Sequence, residues 1–143
     1  RGFNLITKYN KASLVCLDEP ELRLAVSDKN SSIDSLISKL EKKVNYKSIV
    51  ITLGPQGILV KNKQLKTLFK DVKLSAFELD PIDTIGAGDA VFGIASVLCS
   101  INSDTRVVAF LGNIFGALTT KILGHSDYIK KNQVTKTIQY SLK

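Results

Sequence analysis

The spacing of apolar positions changes several times along the chain, and each change marks an element. Residues 13–17 form a short apolar run closed by Asp18-Glu19-Pro20-Glu21, which predicts a strand entering a polar turn. Residues 21–26 follow as a short helix, with Pro20 at its first position. Ile33, Leu36, Ile37, Leu40 and Val44 then recur at helical spacing, and Ser31 with Asp34 three residues later suits an N-cap. Residues 48–53 (SIVITL) are continuous and β-branched, the pattern of a strand buried on both faces. They run into Gly54-Pro55-Gln56-Gly57. Residues 58–60 and 64–69 predict a hairpin around the polar Lys61-Asn62-Lys63 turn, and Phe77-Glu78-Leu79 alternates like one more strand.

Beyond Asp80-Pro81 the period becomes helical. Residues 90–101 predict a helix, and Ser103 or Asp104 caps another that runs to about Ile122. Gly124-His125-Ser126-Asp127 breaks it, and a last amphipathic helix starts at Tyr128 or Lys131. Strands alternating with helices early, and helices dominating late, indicate an α/β layered fold. No linker-like stretch divides the chain, so residues 1–143 are expected to form one unit.

Composition narrows this picture. With 44% hydrophobic and 23% charged residues over 143 positions, the chain has the make-up of an ordinary globular domain. Its net charge of +7 comes mainly from scattered lysines, without a nucleic-acid module, so no nucleic-acid partner is expected. An anionic substrate such as a nucleotide phosphate would also profit from this field. Cys16 and Cys99 lie far apart in apolar runs and outside any metal-ligand spacing, as expected for free thiols in a reducing cytoplasm. The most apolar stretch, residues 107–123, contains Asn113, Thr119, Thr120 and Lys121 and falls short of the roughly 18 apolar residues of a membrane span. A sequence that begins at Arg1 and holds no methionine is expected to be a piece of a longer protein.

The chemistry concentrates in Asp83-Thr84-Ile85-Gly86-Ala87-Gly88-Asp89. Small residues at the start of a helix let backbone N–H groups approach an anion, and the helix dipole favours negative charge there. Two commoner glycine motifs fail on inspection. A dinucleotide fingerprint needs glycine where Val91 stands, and a phosphate-binding Walker loop needs lysine where Ile94 stands. Asp89 sets this turn apart, because a carboxylate beside a phosphate needs a task. Transfer of a γ-phosphoryl group to a hydroxyl requires N–H donors for the developing charge, which Gly86, Ala87 and Gly88 can supply. It also requires a proton acceptor, which Asp89 can supply. On local physics alone, Asp89 as a mere helix cap is an equal alternative.

The segment from Asp83 to Asp89, continued by Ala90-Val91-Phe92-Gly93, resembles the second signature of the PfkB/ribokinase family of carbohydrate kinases. The resemblance implies a ribokinase-like fold whose C-terminal portion has a mainly parallel sheet with a β-hairpin, flanked by helices. It implies Asp89 as catalytic base, Gly86, Ala87 and Gly88 as anion hole, and Asp83 and Thr84 in a phosphate loop beside a monovalent cation. Thr52-Leu53-Gly54-Pro55-Gln56-Gly57 is similar to the family's nucleotide turn, which implies nucleotide contacts from Thr52, Gly54 and Gly57. Asn113, in the helix that lines the family's adenine pocket, is implied as a further nucleotide contact, with a buried asparagine held by local partners as the alternative. Asp18-Glu19-Pro20-Glu21 resembles the N-x-x-E motif that organises Mg2+ through water, with Asp18 standing where the family has asparagine.

The implied cofactors and partners are ATP, Mg2+, a monovalent cation and a sugar or sugar phosphate; a homodimer is compatible with the resemblance. Residues 7–25 look most like the heptose-7-phosphate kinases of lipopolysaccharide precursor synthesis. The likeness covers only the C-terminal half of such a kinase. The half with most sugar contacts and the lid is missing, so the piece alone is expected to be inactive. A non-catalytic nucleotide- or anion-binding module of the same fold is the alternative.

Overall fold

The computed structural model describes residues 5–64, 70–77, 80–123 and 126–142. After a short 3-10 turn at Ile6–Lys8 come β1 (Lys11–Asp18), α1 (Glu19–Val26), α2 (Ile33–Glu41) and β2 (Asn45–Thr52). A second 3-10 turn (Gly54–Gln56) leads to β3 (Ile58–Asn62), β4 (Asp71–Leu74), α3 (Ala87–Ser100), α4 (Thr105–Thr119) and α5 (Lys131–Ser141). The four strands lie in the order β1-β2-β3-β4. β1 and β2 are parallel, whereas β2–β3 and β3–β4 are antiparallel. The α/β layering is as expected, but two of the three pairings among the described strands are antiparallel, so the sheet is mixed rather than mainly parallel.

β2 organises the interior. Ile49, Val50 and Ile51 are fully buried, which the unbroken apolar run predicts. Ile49 and Ile51 join Val15, Leu22, Leu36, Leu40 and Val44 beneath α1 and α2. Val50 points the other way, joining Ile58, Val60, Val91, Ala95, Val108 and Ala109 beneath α3 and α4. Each such side chain withdrawn from water contributes ~1.5–3 kcal/mol before conformational entropy is counted. The segment between α1 and α2 is held by polar contacts instead. Arg23 donates to Glu19 through Nε and Nη2 and to the carbonyls of Lys29 and Ser31 through Nη1. Hydrogen bonds from Lys39, Ser31 and Asn30 hold the Asp28 carboxyl well below the usual carboxylate range.

Several boundaries differ from the sequence pattern. Ser32, not Ser31, caps α2 by accepting from Ser35 N, while Ser31 is bonded to Asp28. The returning arm of the hairpin is Asp71–Leu74 rather than residues 64–69, of which 65–69 lie outside the described residues. Gln64 N donates to Asn62 Oδ1, and Asn62 N donates to Lys70 O, so the turn is wider than Lys61-Asn62-Lys63. Phe77 belongs to no strand; its ring meets Phe110 edge-on, with centroids 5.5 Å apart. Glu78, Leu79, Gly124 and His125 lie outside the described residues. α3 begins at Ala87, three residues before the expected start, because Gly86 takes a left-handed φ of 81° and serves as N-cap. α4 ends at Thr119, short of Ile122.

Candidate active site

Parallel pairing of β1 and β2 brings their C-terminal ends together, with Asp18 opposite Thr52. The acidic motif and the first glycine turn therefore share one edge of the sheet. Open α/β sheets hold ligands outside the carboxyl ends of their strands. Asp18 ends β1 and caps α1: Glu21 N donates to Asp18 Oδ1 at 2.6 Å, and Asp18 N donates to Glu21 Oε2 at 3.1 Å. This reciprocal cap explains why aspartate serves locally where the family pattern has asparagine, since both are strong N-caps. Asp18 Oδ2 and Glu21 Oε1 are left outside the cap. These hard oxygen donors suit Mg2+ held through water. Among the described residues no group of three or more His, Cys, Asp or Glu could enclose a metal by itself.

The turn after Thr52 is closed by its own backbone. Leu53 N donates to Gly57 O at 2.8 Å, Gln56 N to Leu53 O at 3.1 Å and Gly57 N to Gly54 O at 2.9 Å. Gly57 has φ 94°, and a Cβ there would lie 1.9 Å from Leu74 O. Glycine at 57 is thus demanded by the fold.

The second glycine turn is anchored from below. Ile82 N and Asp83 N both donate to Thr120 O, at 2.8 and 3.0 Å, fixing the approach to Gly86 against the end of α4. Asp83 Oδ1 accepts from Ile85 N, which shapes the bend. Thr84 O accepts from Ala87 N at a long 3.3 Å, and the first full helical bond runs from Ala90 N to Gly86 O. The N–H groups of Gly88 and Asp89 precede that bond and lack intrahelical acceptors. Gly88 is exposed, and a Cβ built on it would meet nothing within 4 Å.

Asp89 is exposed in the first turn of α3, and its carboxylate makes no cap bond among the described residues. It lies close enough to Cys16 to act on it electrostatically. Burial first, then the negative charges of Glu21, Asp89 and Cys99, push the Cys16 thiol up to about 12. Nothing in the sequence marks Cys16 for that position, nor Thr120, whose contribution is a main-chain carbonyl.

Asn113 is placed apart from these groups. It is buried on α4, where its Nδ2 donates to Ser75 O and its Oδ1 accepts from Phe77 N at 3.4 Å. The described residues bring Asp18, Glu21 and Thr52 to the C-terminal ends of β1 and β2 and set Asp89 in the first turn of α3, while Asn113 faces the chain leaving β4. No helix among the described residues is long and apolar enough to cross a membrane.

A parallel strand pair ending in a capped helix and a glycine turn, with a second glycine turn opening a helix beside an exposed carboxylate, has the elements of a phosphate-handling site in an α/β protein. Residues 5–131 match the family described as pfkB family carbohydrate kinase, and the chain belongs to that family. It is 26% identical over 125 residues to a probable fructokinase-4 of Arabidopsis thaliana, covering 81% of this chain and 36% of that protein. It is 25% identical over 124 residues to the bifunctional protein HldE of Campylobacter curvus, covering 85% of this chain and 25% of that protein. Among solved structures, Escherichia coli phosphofructokinase-2 in complex with potassium superposes with a TM-score of 0.74 at 20% identity, covering 94% of this chain and 42% of the other. A Thermotoga maritima ribokinase superposes with a TM-score of 0.70 at 20% identity, covering 89% and 42%. The fold is therefore ribokinase-like, and the chain spans between a quarter and about two fifths of the length of these relatives.

Proposed function

We propose that this chain supplies the nucleotide-binding and proton-accepting part of an ATP-dependent kinase acting on a hydroxyl of a sugar or sugar phosphate. The observation that carries the reading is Asp89: an exposed carboxylate directly behind the open Gly88 at a helix start. In the reaction, the acceptor oxygen forms a bond to the γ-phosphorus as its proton passes to Asp89, and the bond to the ADP leaving group breaks. The N–H groups at Gly86, Ala87 and Gly88 face the charge on the transferring group. That of Ala87 exchanges its long bond to Thr84 O for a phosphate oxygen. Thr52, Gly54 and Gly57 border the nucleotide, and Asp83 and Thr84 shape the loop that would hold a monovalent cation. Asp18 and Glu21 would hold Mg2+ through water, and the ion would supply neutralisation of phosphate charge.

The likeness to HldE and the stretch at residues 7–25 favour a heptose 7-phosphate as the acceptor. Arg23, which lies in that stretch, is committed to Glu19, Lys29 and Ser31. Any acceptor contact must therefore come from other residues. The remaining sugar contacts and the lid are assigned to a further part of the protein. Two features support this assignment: among the described strands β1 pairs on one side only, and Phe92, Val97 and Ile101 expose apolar surface on and just after α3.

The test uses the intact protein with ATP, Mg2+ and a panel of sugars that includes a heptose 7-phosphate. Acceptor-dependent ADP release is expected from the intact protein, and none above background from residues 1–143 alone. ATP binding without transfer to any acceptor would instead identify a non-catalytic nucleotide-binding module.

A further inference from the structure

The Asn113 amide is buried and holds a strand-to-loop segment rather than opening into space. Its Nδ2 donates to Ser75 O and its Oδ1 accepts from Phe77 N. That segment is the floor beneath the first glycine turn. The Cβ that Gly57 lacks would fall 1.9 Å from Leu74 O, 2.6 Å from the Ser75 carbonyl carbon and 2.7 Å from Ala76 N. The preceding residue on α4 lies close to the start of β3, since a Cβ on Gly112 would meet Ile58 Cδ1 at 3.0 Å. Ile58 directly follows Gly57. One step of α4, Gly112-Asn113, therefore neighbours both Ile58 and the 75–77 segment.

Resting on the reading of residues 52–57 as a nucleotide turn, we propose that Asn113 is a positioning residue: it sets nucleotide affinity by bracing residues 75–77 against Gly57, not by touching the nucleotide. One N–H and one lone pair of the side chain are tied to the backbone, and at 7% exposure the remaining donor and lone pair have little access to a base. Removing it frees the Ser75 carbonyl and the Phe77 N–H, both on exposed residues, to bond with water, and the segment is no longer tied to α4. The floor then loosens, and the three backbone bonds of the turn loosen with it.

The intact protein distinguishes the possibilities through amide hydrogen exchange, measured without nucleotide, and ATP titration. In Asn113→Ala the amides of Leu53, Gln56 and Gly57 are expected to exchange about tenfold faster. The KM for ATP rises by a comparable factor, while kcat at saturating ATP stays within about twofold. Asn113→Asp keeps the acceptor for Phe77 and turns a carboxylate oxygen toward the Ser75 carbonyl. It preserves the side-chain volume and should reproduce the same pattern if the alanine variant does not fold. Weaker ATP binding with unchanged exchange at residues 53–57 would mean a direct nucleotide contact and would overturn the brace. Faster exchange with unchanged ATP affinity would instead overturn the nucleotide role of the turn.

Discussion

The two glycine turns use the same residue for opposite reasons. At Gly57 the fold itself excludes a side chain: the backbone of Leu74, Ser75 and Ala76 occupies the place a Cβ would take, and φ is 94°. At Gly88 nothing in the chain lies within 4 Å of that place, and the residue is exposed at the start of a helix, where alanine would be a better helix former. A glycine that packing does not require keeps space open for something else. The first turn is rigid floor, and the second is open approach. The carboxylate of Asp89 stands beside the open one.

Substitution at the two glycines sharpens that contrast. Gly57→Ala should destabilise the protein by ~3–5 kcal/mol through steric overlap and left-handed strain, read as a shifted urea midpoint at constant slope. A change below about 1 kcal/mol would show that the floor is soft. Gly88→Ala should leave stability unchanged or raise it by up to about 1 kcal/mol, while phosphoryl transfer falls by about tenfold or more as the methyl group crowds the phosphate. Unaltered transfer in Gly88→Ala would remove the distinction between the turns.

Smaller effects are expected where the local structure tolerates exchange. Asp18→Asn keeps an equivalent N-cap, so stability should move by less than ~0.5 kcal/mol. The loss of one charge beside the metal should shift the Mg2+ concentration for half-maximal rate, and an unshifted midpoint would remove Asp18 from the metal site. The last effect concerns high pH. Burial, reinforced by Glu21 and Asp89, raises Cys16 from 9.0 to about 12, and burial with Glu41 raises Tyr46. Both groups hold their protons more tightly in the folded state. Their contribution is complete below pH 9 and is lost progressively as the pH rises toward 12. The thermal midpoint should therefore decline over that range, and Cys16→Ala should decline less steeply.

Much of the fold was legible because its signals are local. The doubly buried β2 follows from SIVITL and the cap of α4 from Asp104, whereas the Asp18 cap and the antiparallel pairing of β2 with β3 emerge only in the structure. The second hairpin arm was misplaced because apolar residues at 65, 68 and 69 compete with Val72 and Leu74. Burial of Val72 against the α3–α4 layer identifies the strand, and that contact is set in tertiary structure. The glycine turn was legible as a helix start, but the helix begins earlier because the φ of Gly86 is a property of the assembled bend. Cys16, Thr120 and the partners of Asn113 carry no sequence signature, since each acts through proximity or through main-chain atoms.

The central claim is that Asp89 accepts the proton at the open turn. The direct measurement is kcat of Asp89→Asn in the intact protein, beside its affinity for ATP. The account predicts a fall in kcat of about 10²–10⁴, with ATP affinity within about threefold of wild type. Wild-type turnover in the variant would contradict it.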